Sequence, residues 1–153
     1  TLLSLILMLI GGSPGSTAGG LKTTTIAVVV IAVFAMAKGG DDINTFKRRI
    51  VSDVVKQSAV IILIYLFAVM LSSMIICSVE GLGMSQVLFE TASAAGTVGV
   101  SKGITNQISV ISKIILMIMM YGGRIGGLSL VLVFGQRKPE APVKRPTEQI
   151  LIG

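Results

Sequence analysis

Residues 59–79 run for 21 positions without a charged side chain, enough for one α-helix to cross a hydrocarbon core of roughly 30 Å. No water is available there, so a spanning chain must satisfy its backbone N–H and C=O groups as a helix or a closed barrel. The composition points the same way, since 52% of residues are hydrophobic and 13% charged, against about 25% charged in a soluble domain. The expected fold class is therefore all-α integral membrane.

A second feature narrows this further. Thr17-Ala18-Gly19-Gly20-Leu21-Lys22 and Thr97-Val98-Gly99-Val100-Ser101-Lys102 share the pattern T-x-G-x-x-K, 80 residues apart, each between two apolar segments. Irregular glycine-bearing backbone at membrane depth is tolerated only where protein or water satisfies it. The repeat predicts two re-entrant pore loops, whose exposed carbonyls can bind cations.

Residues 2–10 are apolar but, at about 1.5 Å per residue, too short to span, and so predict a half-helix. Gly11-Gly12-Ser13-Pro14-Gly15-Ser16 then breaks regular structure. Residues 23–37 predict an inner helix of about 22 Å, interrupted by Lys38-Gly39-Gly40-Asp41-Asp42, which is either an interfacial turn or a break inside the membrane. After the full span at 59–79, residues 85–94 repeat the half-helix with Glu90 inside it, 96–102 repeat the loop, and 114–135 predict a second long helix. The organisation is one and a half repeats of helix, pore loop, helix. Pro139, Pro142 and Pro146 make the tail extended, ending in the apolar Ile150-Leu151-Ile152-Gly153 as either a docked or a frayed terminus.

The net charge of +6 reflects topology rather than nucleic-acid binding, because no aromatic platform interleaves the basic residues. Lys38, Lys47, Arg48, Arg49 and Lys56 fall in one connection, and Arg137, Lys138, Lys144 and Arg145 in the tail. Both are expected to be cytoplasmic, whereas the connection near 78–89 carries Glu80 and no Lys or Arg. Thr1 is not an initiator Met and no secretory cleavage pattern is visible, which gives the expectation that the sequence begins inside a longer chain. The single Cys77 reads as a small packing residue.

A potassium filter needs carbonyl oxygens that replace the ion's water, and glycine makes the required backbone angles accessible. Gly19 and Gly99 are the filter candidates, flanked by Thr17, Ala18, Gly20, Thr97, Val98 and Val100. Half-helices would aim negative C-terminal ends at a cation. A phosphate-binding loop is the most specific rival, but Leu21 separates Gly20 from Lys22, breaking G-x-x-x-x-G-K-[ST]. Lys22 and Lys102 either tune cation entry or anchor their loops. Arg124 stands mid-span in 114–135, where an insertion cost of about 2.5 to 3.5 kcal/mol disfavours a lipid-facing position. It is either a charged constriction below the filter or a helix-to-helix tie, with Gly122, Gly123, Gly126 and Gly127 permitting close approach. Met117, Met119 and Met120 read as packing residues, and neither a metal site beyond potassium at the filter nor a catalytic constellation is expected.

The stretch from Gly11 to Thr25 resembles the third pore loop of the KtrB type in the Trk/Ktr/HKT potassium-transporter superfamily. Phe89 to Ser101 resembles the fourth loop, Phe46-Lys47-Arg48-Arg49-Ile50 the cytoplasmic segment after the third repeat, Gly123-Arg124-Ile125-Gly126 the gate segment of the fourth inner helix, and Glu148 to Gly153 the terminus. The resemblance implies part of a four-repeat, potassium-channel-like pore in a bacterial cytoplasmic membrane, with a cytoplasmic C-terminus. Potassium is then the transported ion, and no organic cofactor or enzyme activity is implied. It also implies an intramembrane gate loop at 37–42, including Lys38, Gly39 and Gly40, and makes Arg124 the gate arginine. The implied partners are an N-terminal half of the same protein, a second copy forming a homodimer, membrane lipid and a cytosolic nucleotide-binding ring of the KtrA type. Nucleic acid is not implied.

On this reading, 1–50 hold the third repeat's pore helix, filter loop and interrupted inner helix. Residues 51–135 form a complete fourth repeat and 136–153 a cytoplasmic tail. Two functions compete: potassium uptake with this chain as half the pore, or a noncatalytic assembly or regulatory membrane subunit.

Overall fold

The computed structural model describes residues 2–13, 19–38, 44–45, 48–49 and 52–125. Five helices carry the fold: α1 (Leu2–Ile10), α2 (Thr23–Ala37), α3 (Ser52–Glu80), α4 (Met84–Gly96) and α5 (Val110–Ile125). The only extended pairing among the described residues is β1 (Asn44–Thr45) against β2 (Arg48–Arg49), antiparallel with Asn44 opposite Arg49.

Helices α1 and α2 keep the limits that the apolar runs predict. Helices α3 and α4 are longer than expected, and α5 starts earlier. Helix α3 begins at Ser52, so Lys56 lies on the helix rather than in the connection before it. Its 29 residues extend about 43 Å, more than a hydrocarbon core requires. The extra turns carry Asp53 in the first turn, where a negative charge suits the helix dipole. Helix α5 starts at Val110 rather than at 114, and its predicted continuation from 126 lies outside the described residues.

Only 28% of the most apolar window of α3 is buried. Leu63 and Phe67 are 67% and 69% exposed, so the helix turns large apolar side chains outward, as lipid-facing helices do. The buried centre is instead the short α4, whose Val87 and residues 89–96 are all covered. Ile76, Val87, Ala94, Ile104, Ile108 and Leu116 form the apolar core, with Cys77 and Met119 packed at its edge. Met117 and Met120 are exposed.

Polar side chains on facing helices lock α4 in place. The Ser73 hydroxyl donates to the Val69 carbonyl at 2.7 Å and meets the Thr91 hydroxyl at 2.6 Å. Both residues are fully buried, the situation in which interhelical hydrogen bonds substitute for a weak hydrophobic drive in lipid. At the start of α5, Glu80 accepts from the Ser109 N–H at 2.8 Å and from the Ser109 and Ser112 hydroxyls at 2.5 Å. One carboxylate thus ties the end of α3 to the first turn of α5, where orphan N–H groups and the dipole favour an anion.

Candidate functional site

Two stretches of chain converge on the site: α1, residues 11–13 and 19–22 with α2, then α4, residues 97–109 and α5. The second loop begins in a left-handed helix ending. The Thr97 N–H donates to the Ala94 carbonyl at 3.1 Å and the Val98 N–H to the Ser93 carbonyl at 3.0 Å, the paired bonds of a Schellman ending. Thr97 has φ +53°, a region that costs a β-branched residue about 1–2 kcal/mol. Such outliers persist where surrounding contacts hold them.

The holding contact comes from the other loop. The Gly19 N–H donates to the Thr97 hydroxyl oxygen at 2.8 Å, and the next amide, Gly20 N–H, donates to the Gly123 carbonyl at 3.3 Å. Gly19, Gly20 and Leu21 are buried at this junction. A Cβ on Gly19 would lie 2.6 Å from the Thr97 hydroxyl oxygen and 2.9 Å from the Gly123 carbonyl oxygen. A Cβ on Gly123 would land on the Ala95 carbonyl. Gly20 and Gly99 have φ +79° and +82°, which favours glycine at both positions.

Gly19 therefore meets Thr97 directly and Gly20 meets Gly123, while Val98, Gly99 and Val100 lie on an exposed stretch of the second loop. Thr17 and Ala18, Gly39 and Gly40 lie outside the described residues. Lys38 follows α2, its N–H bonding the Phe34 and Ala35 carbonyls at 3.2 Å. Arg124, in the last turn of α5, is the residue after Gly123. That places it one residue from the contact between α5 and the first loop.

Lys102 holds its own loop. Its ammonium reaches the Ser85 carbonyl at 3.5 Å and lies 4.9 Å from the centroid of the Phe89 ring, both on α4. Of the two roles open from sequence, the structure supports anchoring.

Two residues matter more than their sequence context suggested. Glu90, 7% exposed, accepts from the Ser101 hydroxyl at 2.5 Å, the Lys102 N–H at 2.9 Å and the Thr105 hydroxyl at 3.3 Å. A lone carboxylate in an apolar half-helix was the available signal, by the same desolvation argument that drew notice to Arg124. Tyr65 stands beside Gly20 at a cavity of about 220 Å³ lined also by Ile64, Ala95 and Gly122. Its hydroxyl is buried with no hydrogen-bond partner among the described residues. A second cavity of about 330 Å³ lies against the other loop, lined by Glu90, Ser93, Thr97, Gly99 and Ser101 among others. Among the described residues no cluster of His, Cys, Asp or Glu is suited to a metal ion.

Residues 1–144 match the family model TrkH, described as "Cation transport protein". The chain is 37% identical over 147 residues to the Ktr system potassium uptake protein D of Bacillus subtilis, covering 96% of this chain and 33% of that protein. It is 36% identical to the potassium/sodium uptake protein NtpJ of Enterococcus hirae, covering 99% and 35%. Ktr system potassium uptake protein B of Vibrio alginolyticus is 32% identical, covering 99% and 33%. The chain thus spans about a third of the length of these relatives. Members of this family are transporters rather than enzymes. The chain belongs to the TrkH family of cation transport proteins, in the Trk/Ktr group.

Proposed function

We propose that this chain supplies half of a potassium-uptake pore in the cytoplasmic membrane, with a carbonyl-lined filter and a gate below it. The observation that carries the reading is the bond from the Gly19 N–H to the Thr97 hydroxyl. It joins two residues 78 positions apart in two copies of one motif, as neighbouring loops around a shared axis would be joined. Thr17, Ala18, Gly19 and Gly20 form one quarter of the filter, and Thr97, Val98, Gly99 and Val100 another. Their glycines open the backbone angles that carbonyl coordination of a dehydrated cation requires.

Residues 1–50 form the third repeat, 51–135 the fourth and 136–153 a cytoplasmic tail. Arg124 provides a positive constriction below the filter, and the loop at Lys38, Gly39 and Gly40 a second gating element. Potassium is the substrate, in keeping with the names of the relatives. The complete assembly adds the N-terminal half of the protein, a second copy and a cytosolic nucleotide-binding ring.

Potassium uptake in a potassium-uptake-deficient bacterium tests the half-pore reading. Uptake is expected from the reading frame extended upstream and not from these 153 residues alone. Association with a separate transporter, without uptake from either form, would favour the noncatalytic subunit instead.

A further inference from the structure

Glu90 is absent from the filter motif, yet it is wired to the segment that leaves the second loop. Its Oε1 accepts from the Ser101 hydroxyl and the Lys102 N–H, and its Oε2 from the Thr105 hydroxyl. Ser101 passes the tie onward, because its hydroxyl oxygen also accepts the Gly103 N–H at 2.8 Å and meets the Thr105 hydroxyl at 3.1 Å. A nearly covered carboxylate at this depth is expensive unless hydrogen bonds satisfy it. Three donors do so here, and charge-assisted bonds of this kind are the strong ones.

The position of these bonds gives them a consequence. Thr97 is fixed at one end of the loop by the helix ending and by Gly19. Ser101 and Lys102 are fixed at the other end by Glu90. Only Val98, Gly99 and Val100 lie between the two anchors, and all three are exposed.

The other loop does not repeat this pair of residues in its sequence. Subtracting the 80-residue offset of the motif places Ile10 where Glu90 stands and Leu21 where Ser101 stands. A carboxylate and hydroxyl pair in one unit thus corresponds to two apolar residues in the other. Leu21 is buried, whereas Ser101 is exposed apart from its bond to Glu90.

We infer that Glu90 is a positioning residue for ion selectivity, bracing the carbonyls of residues 98–100 through Ser101 and Lys102 in the second loop alone. The inference rests on the filter reading above. It differs from simple support of the fold because it predicts a change in which ion passes and not only in how much protein accumulates.

The test measures potassium and sodium uptake by the complete reading frame in a potassium-uptake-deficient bacterium, normalised to protein in the membrane. Glu90→Ala is expected to lower potassium-over-sodium discrimination about tenfold, and Glu90→Gln, which keeps one accepting oxygen, about threefold. Ser101→Ala is expected to cost about threefold by itself and nothing further when added to Glu90→Ala, since residues acting as a unit are not additive. Unchanged discrimination in well-inserted Glu90→Ala, or independent multiplication of the two effects, overturns the inference. If Glu90→Ala fails to accumulate, the Ser101→Ala/Thr105→Val pair removes two donors and leaves the carboxylate in place. Discrimination unchanged in that pair overturns the inference equally. Gly99→Ser separates the two levels: if it alters discrimination while Glu90→Ala does not, the brace fails and the filter stands. If Gly99→Ser changes nothing, the filter reading fails and the brace with it.

Discussion

The hydroxyl oxygen of Thr97 accepts the backbone N–H of Gly19 at 2.8 Å, so the strained residue of one loop is the acceptor for a buried amide of the other. Each depends on its partner. Thr97 holds a left-handed conformation that few β-branched residues adopt, and Gly19 lies too close for any side chain.

Replacing Thr97 with Val keeps the shape and removes the acceptor. The buried Gly19 N–H is then unsatisfied, a cost of about 1–3 kcal/mol, while Thr97→Ser keeps the bond. Thermal unfolding of the purified protein in detergent is expected to show a lower midpoint for the Val variant and a near-normal one for Ser. Equal midpoints for the two would mean the bond does not hold the loops together.

The neighbouring glycines of α5 give an internal control. Gly122 has open space where a Cβ would go among the described residues, whereas a Cβ on Gly123 meets the Ala95 carbonyl. Gly122→Ala is expected to be neutral or to stabilise by up to about 1 kcal/mol through helix propensity. Gly123→Ala is expected to destabilise by about 1–3 kcal/mol, the cost of overpacking. Membrane abundance and unfolding midpoint check both, and similar behaviour of the pair would contradict the close approach of α5 to α4.

Ser73 and Thr91 are buried partners on α3 and α4, but each retains a backbone acceptor of its own, Val69 for Ser73 and Val87 for Thr91. Ser73→Ala and Thr91→Val should therefore each cost only about 0.6 kcal/mol, the average for such bonds between membrane helices. The double variant should be less destabilised than the sum. Additive unfolding free energies would show that the hydroxyls act separately.

Arg124→Ala is expected to raise potassium flux. A contribution of about 1.4 kcal/mol to the barrier corresponds to tenfold in rate, and a rise of about that size is predicted in initial-rate uptake. Equal or lower flux in well-inserted protein would make Arg124 a helix-to-helix tie.

How far the sequence disclosed this arrangement depended on how local each signal was. Helices α1 and α2 could be bounded because Gly11-Gly12 and Lys22 mark breaks beside them. The start of α3 was hidden by Asp53 and Lys56, charges that resemble a connection but sit on turns beyond the length that a hydrocarbon core needs. The start of α5 was hidden because the carboxylate at its first turn is Glu80, 29 residues from Ser109. Glu90 was visible as a charge in an apolar half-helix, but its partners lie 11 to 15 residues away across a turn. The T-x-G-x-x-K repeat paired the two loops in sequence, and only folding brought Gly19 onto Thr97.

Potassium against sodium uptake by the Gly99→Ser variant of the complete reading frame, in a potassium-uptake-deficient bacterium, tests the filter assignment most directly. Gly99 has φ +82° and open space around it among the described residues, so the substitution strains the backbone without a local clash. Discrimination against sodium is predicted to fall by about tenfold or more while the protein still reaches the membrane. Wild-type discrimination in that variant would contradict a filter built on this glycine.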